Sequence, residues 1–117
     1  MYEIIKTLEI AGEHHLDLPY ESKCKNCHGH NWWITIHAEC EDDKLEHDMV
    51  IDFKHIKEQI SDKLDHQNLN EVLDFNPTAE NIAKWVADTV NLMRSGVNCY
   101  RVEVEESKNN TAIWRSR

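Results

Sequence analysis

Three histidines within the first 30 residues have the spacing of metal ligands. His28 and His30 flank a single glycine, and His14 belongs to an earlier segment with the same alternation. Side chains two residues apart on an extended strand point to the same side of a sheet. Two imidazoles on one strand and a third from a neighbouring strand are a usual way to hold zinc with one position open for chemistry. These residues therefore predict a zinc site that acts as a Lewis acid.

The same stretch allows a second kind of metal site. It contains four potential ligands of a closed structural zinc site: Cys24, Cys27, His28 and His30. These four lie within seven residues, whereas structural zinc usually takes two separated ligand pairs. In a third interpretation, the histidines bind no metal and only form hydrogen bonds within the sheet. This role would be the favoured one for a single histidine, but it explains less well why three histidines lie on the apolar faces of two strands. We favour the three-histidine site.

Two further groups have side chains suited to proton transfer. Cys24 lies four residues before the histidine pair and between two lysines, which would favour its thiolate near a metal ion. Asp65 and His66 are adjacent, so that the carboxylate can orient the imidazole. The pattern predicts Cys24 as a proton carrier and the Asp-His pair as a relay. An ordinary loop cysteine and a solvated helix end are the simpler alternatives.

Glu106 is an acidic residue at an apolar position of the last long strand. Burying a carboxylate costs several kcal/mol unless hydrogen-bond donors meet it. Two parallel donors, such as the edge of a guanidine-like heterocycle, would satisfy it well. Glu106 is therefore a candidate ligand-binding residue, and a frayed strand end in water is the alternative.

Alternating polarity predicts two long strands that carry the histidines. Between Tyr2 and His15 the even positions are mostly apolar and end with His14, whereas the odd positions include three glutamates. His14 thus lies on the apolar face and is the better ligand, although the choice between His14 and His15 stays open. In the second strand, His28 and His30 share the face of the apolar residues that follow them.

Two helices are expected after these strands. The first begins after Asp52, whose carboxylate can cap it, and has an apolar stripe from Phe53 to Leu64. The second begins after Thr78, a plausible cap, and ends near a Ser-Gly pair. Residues 68–77 between the helices are expected to form a loop.

The remaining chain predicts further strands. The apolar face of the next strand contains Tyr100, Val102, Val104 and Glu106. Ile113 and Trp114 can form a last short strand. The order strand-strand-helix-helix-strand-strand predicts an α+β fold, an antiparallel sheet with two helices on one face.

Length and charge limit the classes of function. With 117 residues, the chain is expected to be one domain spanning residues 1–117. The net charge of −9 argues against duplex nucleic acid as a partner, because such binding needs a basic surface. A phosphorylated substrate would have to be bound by a local basic cluster, for which Lys23, Lys25 and Arg101 are candidates.

The sequence also predicts the cellular compartment of the protein. It has no apolar run long enough to cross a bilayer and no secretory signal at its start. We therefore expect a cytoplasmic protein that does not bind membranes. Its four cysteines are then expected to be reduced thiols, with Cys40 and Cys99 in the core.

Together these motifs resemble the family of 6-pyruvoyl-tetrahydropterin and 6-carboxy-tetrahydropterin synthases. The resemblance covers nearly the whole chain. Its motifs are His14-x-Leu16, Cys24-x-x-x-His28-Gly29-His30, Met49-Val50-Ile51-Asp52-Phe53, Leu64-Asp65-His66-x-x-Leu69-Asn70, Asn76-Pro77-Thr78-Ala79-Glu80-Asn81 and Val104-Glu105-Glu106-Ser107. Each motif alone is weak, but all of them in order are specific.

The resemblance implies the tunnelling fold and a homohexamer. In this fold, trimers close a barrel from the subunit sheets, two trimers stack, and active sites form at subunit interfaces. The resemblance also implies that His14, His28 and His30 hold zinc.

Roles for the other site residues follow from the same resemblance. Cys24, Asp65 and His66 would handle protons, while Glu106 would anchor the pterin ring and Thr78 would contribute to substrate binding. The implied reaction is the zinc-dependent conversion of 7,8-dihydroneopterin triphosphate to 6-carboxy-5,6,7,8-tetrahydropterin, acetaldehyde and triphosphate, a step towards queuosine or related deazapurines.

Two alternative functions remain open on the sequence alone. One is 6-pyruvoyl-tetrahydropterin synthase, which releases triphosphate without carbon-carbon cleavage; another is a non-catalytic zinc-binding module. The chain also departs from the family pattern in two places. Cys27 occupies a position that is usually apolar and could compete with Cys24, and Ser107 replaces a common threonine.

Overall fold

Five strands form one layer of the computed structural model, which describes all 117 residues. Their order across the sheet is β3-β1-β2-β4-β5. The strands are β1 (Tyr2–His14), β2 (His28–Cys40), β3 (Gln67–Asn68), β4 (Asn98–Ser107) and β5 (Asn110–Arg115). All neighbours are antiparallel except β1 and β3, which form a short parallel pair. The predicted α+β fold and its final short strand are confirmed.

Two long helices pack on one face of this sheet. They are α1 (Phe53–Leu64) and α3 (Ala79–Met93), and a single turn, α2 (Leu69–Val72), lies between them. Asp52 caps α1 by accepting from the backbone N–H of Lys54 at 2.9 Å. Thr78 caps α3 in the same way through the N–H of Asn81 at 3.1 Å. Both predicted caps are confirmed.

The core lies between the helices and the covered face of the sheet. Ile56, Ile60 and Leu64 recur on one side of α1 and are fully buried. Burial of each such side chain contributes about 1.5–3 kcal/mol. Cys40 and Cys99 also lie in this core, as predicted.

The segment predicted as a loop, residues 68–77, contains regular structure instead. Asn68 ends β3 and caps α2 through its side chain, which accepts from the N–H of Asn70 at 3.0 Å. Leu69 is buried against Gly12 of β1, where an added Cβ would lie 3.2 Å from the Leu69 side chain. This tertiary contact stabilises a turn that has no helical periodicity of its own.

The predicted face of Tyr100 was wrong because β4 contains a bulge. Cys99 pairs with Ala38 and Arg101 pairs with His37, so Tyr100 has no partner on β2. Its hydroxyl donates to Glu3, which raises the pKa of Tyr100 to about 12. Tyr100 therefore lies with the polar groups of the uncovered face.

The opposite face of the sheet is not covered by any helix. Ile5, Trp33 and Ile113 are exposed there. On the helix side of the sheet, Phe53 at the start of α1 is exposed, although the sequence predicts it on the apolar stripe of that helix. The Lys6 ammonium lies 5.8 Å from the centre of the Phe53 ring. No helix is both long and apolar enough to cross a membrane.

Candidate functional site

Four side chains converge at one end of the sheet. They are His14 of β1, His28 and His30 of β2, and Glu106 of β4, and one ligand atom from each lies within 4.8 Å of the others. The antiparallel register places His14 directly opposite His28. Residues far apart in the sequence thus form one cluster.

Backbone carbonyls orient two of the histidines. The Nδ1 atom of His14 lies 2.8 Å from the carbonyl oxygen of Pro77, and Nδ1 of His28 lies 2.7 Å from that of Asn26. Since a carbonyl can only accept, each Nδ1 must donate, and in the neutral imidazole this arrangement leaves the lone pair on Nε2. This is the usual way in which a protein prepares an imidazole for a metal ion.

The cluster has buried nitrogen atoms without hydrogen-bond partners. The Nε2 atoms of His14 and His30 lie 3.1 and 3.0 Å from a Glu106 oxygen, but neither forms an aligned hydrogen bond. An unpaired buried nitrogen costs about 1–3 kcal/mol. Burial also lowers the pKa of His14, which favours the neutral imidazole that ligation requires. Three imidazoles with a fourth position left open fit a divalent transition metal such as zinc, and the Glu106 carboxylate lies beside them.

Trp32 forms a wall behind the cluster and was not singled out from the sequence. Its indole is fully buried, and its ring centre lies 4.8 Å from His14 and 5.4 Å from His30 in edge-on contacts. The indole N–H donates to the Gly12 carbonyl at 3.1 Å. Its position two residues after His30, on the same face of β2, was the available signal.

The other predicted metal ligands do not join the cluster. His15 is exposed, and neither Cys24 nor Cys27 is among the four convergent groups. The closed structural site that uses both cysteines is therefore not formed. Loss of solvation and the nearby Glu13 carboxylate raise the pKa of the Cys27 thiol, so its thiolate is disfavoured.

Cys24 lies in a short 3-10 turn just before β2. This turn spans Lys23–Lys25, and the Cys24 side chain is partly buried. The Ser22 hydroxyl caps the turn by accepting from the Cys24 N–H at 3.1 Å. The turn thus fixes the backbone of Cys24 a few residues before the strand that carries two of the histidines.

Asp65 and His66 are anchored to the edge of β1. An Asp65 oxygen accepts from the Ala11 N–H at 2.8 Å, and the His66 N–H donates to the Ala11 carbonyl at 2.6 Å. The exposed His66 ring lies 3.6 Å from the other Asp65 oxygen. His66 lines an open cavity of about 420 Å³ that also reaches Glu13 and His30. The pair is not part of the four-residue cluster.

A second cavity lies beside Glu106 at the start of α3. It has a volume of about 290 Å³, and its lining includes Ala79, Glu80 and Thr111. Glu106 therefore borders both this cavity and the histidine cluster.

Thr78 lies just before the residues that line this cavity, and its hydroxyl serves as the cap of α3. Arg101, a candidate for anion binding, instead lies 3.5 Å from Glu103.

Fold and cluster together define an α+β protein with a candidate three-histidine metal centre at one end of its sheet. The model of the family "6-pyruvoyl tetrahydropterin synthase" matches residues 3–117. The chain belongs to this family.

Individual relatives agree with this assignment. A Pyrococcus abyssi protein, provisionally named 6-carboxy-5,6,7,8-tetrahydropterin synthase, is 31% identical over 84% of this chain and 78% of its own length. The human 6-pyruvoyl tetrahydrobiopterin synthase is 28% identical over 91% of this chain and 78% of its own length. The structure of Caenorhabditis elegans 6-pyruvoyl tetrahydropterin synthase matches with a TM-score of 0.73 at 24% identity, over 99% of this chain and 96% of that one. The tunnelling fold implied by the sequence is confirmed.

Proposed function

We propose that this protein is a zinc-dependent 6-carboxy-5,6,7,8-tetrahydropterin synthase of queuosine or related deazapurine biosynthesis. It would act in the cytoplasm and convert 7,8-dihydroneopterin triphosphate to 6-carboxy-tetrahydropterin, acetaldehyde and triphosphate. The observation that carries the proposal is the convergence of His14, His28 and His30 in a member of this family. The spacing of Cys24 and the name of the Pyrococcus abyssi relative favour the carbon-cleaving branch.

The three histidines would hold the zinc ion. When bound, zinc supplies a Lewis acid that polarises an oxygen of the substrate side chain and acidifies the neighbouring C–H. The carbonyls of Pro77 and Asn26 keep the rings of His14 and His28 in the ligating tautomer. These contacts support the ligand assignment over a purely structural role for the histidines.

Cys24 would take or relay the proton of the acidified C–H. Lys23 and Lys25 flank it in the short turn that precedes β2. His66 would return a proton at a different position of the substrate. Asp65 is fixed by the Ala11 N–H through one oxygen, so its other oxygen is available to orient the His66 ring.

Glu106 would anchor the pterin ring. Its carboxylate can accept two parallel N–H bonds from the aminopyrimidine edge of a pterin, an arrangement that is both directional and charge-assisted. The cavity beside it, at the start of α3, gives the ring a place to bind. Thr78, as the cap of α3, would help to hold this end of the substrate site.

We also propose that the active protein is a homohexamer with sites at subunit interfaces. The uncovered sheet face exposes Ile5, Trp33 and Ile113, which a barrel of several copies would shield. Asp65 and His66 lie outside the four-residue cluster of their own chain. In such a hexamer, a neighbouring copy would bring its own Asp65 and His66 to this metal centre.

The deciding experiment is incubation of the zinc-loaded protein with 7,8-dihydroneopterin triphosphate, followed by mass analysis of the pterin and an acetaldehyde assay. Acetaldehyde together with a 6-carboxy product is the expected result. A 6-pyruvoyl product without acetaldehyde would instead identify the second candidate, 6-pyruvoyl-tetrahydropterin synthase, which the human relative favours.

Removal of the metal tests the non-catalytic alternative. A catalytic zinc ion adds little to folding, so the chelated protein should stay folded and lose activity. A structural zinc ion stabilises the fold itself, and its removal should unfold the protein. Circular dichroism before and after dialysis against a chelator separates the two cases.

A further inference from the structure

The segment between β1 and the Cys24 turn is held by two asparagine side chains. Asn70 accepts from the His15 N–H at 2.9 Å and donates to the His15 carbonyl at 3.0 Å. Asn76 repeats this pattern on Asp17, with distances of 2.9 and 3.2 Å. Each amide thus forms the pair of bonds that a neighbouring strand would form.

The other side of the same segment binds the Cys24 turn. The N–H of Leu16 donates to the carbonyl of Cys24 at 2.6 Å. Residues 15 and 17 therefore bond to one side and residue 16 to the other, which is the alternation of an extended strand. Asn70 and Asn76 replace a strand on one side, and Cys24 occupies the opposite side.

Asn76 is also coupled to the metal centre. It directly precedes Pro77, whose carbonyl accepts from Nδ1 of His14. The side chain of Asn81 holds the Asn76 carbonyl at 2.9 Å. One short stretch of chain thus binds the Cys24 segment through its side chain and a candidate zinc ligand through its backbone.

We propose that Asn70 and Asn76 are positioning residues that fix Cys24 relative to the three histidines, acting through residues 15–17. The inference rests on the proposed function for its catalytic consequence, but the coupling to Cys24 does not depend on turnover. Neither asparagine belongs to the convergent cluster. A displacement of about 1 Å of a reacting group can lower a rate about 100-fold, so loss of either pair of bonds should affect chemistry more than binding.

The test measures the alkylation rate of Cys24 against pH in a Cys27→Ser background. The other two cysteines, Cys40 and Cys99, are buried and should react slowly. Asn70→Ala and Asn76→Ala should each raise the Cys24 rate at least about fivefold, because the turn opens more often. They should lower kcat at least about tenfold with KM little changed and with zinc still bound.

Two further variants keep the test decisive. Asn70→Asp retains the acceptor for the His15 N–H but loses the donor to its carbonyl, so its effect should be intermediate. Asn98→Ala removes an exposed asparagine at the start of β4 and serves as the matched control. Alkylation rates within twofold of this control in both alanine variants would overturn the proposal. If the parent protein does not turn over the pterin, the proposed function fails, while alkylation still decides the role of the asparagines.

Discussion

Replacement of Trp32 by phenylalanine should weaken both the fold and the metal centre. The indole is fully buried, and its N–H donates to the carbonyl of Gly12, two residues before His14. Its ring also lies roughly perpendicular to, and in contact with, the rings of His14 and His30. Trp32 thus ties β2 to β1 beside the candidate ligands and limits the freedom of two imidazole rings.

The expected magnitude follows from what phenylalanine lacks. Loss of the hydrogen bond costs about 1 kcal/mol, and the void left by the smaller ring costs about 1 kcal/mol more. The free energy of unfolding should therefore fall by about 2 kcal/mol. Loss of a group that orients metal ligands typically lowers metal affinity 10–100-fold. Because the phenylalanine ring would keep part of the packing against the two histidines, we expect zinc binding to be about tenfold weaker.

The assay is urea unfolding of the metal-free protein at matched concentration, together with zinc competition against a chromophoric chelator. Trp33→Phe is the matched control, because the neighbouring indole is 44% exposed on the opposite face. It should change stability by less than about 0.5 kcal/mol. If Trp32→Phe matched this control in both stability and zinc affinity, the assigned role of the indole would be refuted.

Three further predictions concern the other groups of the site and the sheet. Cys24→Ala should lower turnover by about 10²–10⁴-fold while zinc stays bound, as measured by steady-state kinetics and metal analysis; full activity would move the proton role to Cys27. Glu106→Ala should weaken binding of an unreactive pterin about 100-fold by calorimetry, because it removes charge-assisted hydrogen bonds, and native affinity would contradict the anchor role. A hydrogen bond from His37 holds the pKa of Glu103 below its ordinary value of 4.5. The ionised Glu103 therefore stabilises the fold fully above that value, and the stabilisation is lost as the pH falls through the lowered pKa. Wild type and Glu103→Gln should accordingly differ in unfolding free energy at pH 7, and in denaturant titrations this difference should shrink as the pH falls from 4.5 through the lowered pKa of Glu103; a constant difference would contradict the ion pair.

Local patterns were sufficient for the main elements and for the faces of β1 and β2. A strand has a period of two residues, so the apolar positions before His14 and after His30 determined which side each histidine faces. The caps Asp52 and Thr78 could be predicted because a side-chain acceptor at a helix start satisfies backbone N–H groups of the first turn. These features depend only on neighbours in the sequence.

Features that depend on contacts with distant residues were missed. The turn α2 is stabilised by the packing of Leu69 against Gly12, which no local pattern encodes. The bulge at Tyr100 reversed the expected face of that residue, because the pairing of β4 with β2 skips one position. The anchoring of Asp65 to Ala11 likewise requires the helix and the strand to be in place.

The sequence by itself determined that the chain has the residues of a metal centre, the face on which each histidine lies and the family that these motifs resemble. Only the tertiary structure decided that Glu106, on a strand some 90 residues after His14, lies beside the three histidines and that the buried Trp32 ring packs against them. The physical reason is that the face of a strand follows from its own period of two residues. The register between strands depends instead on the packing of the whole sheet against its helices.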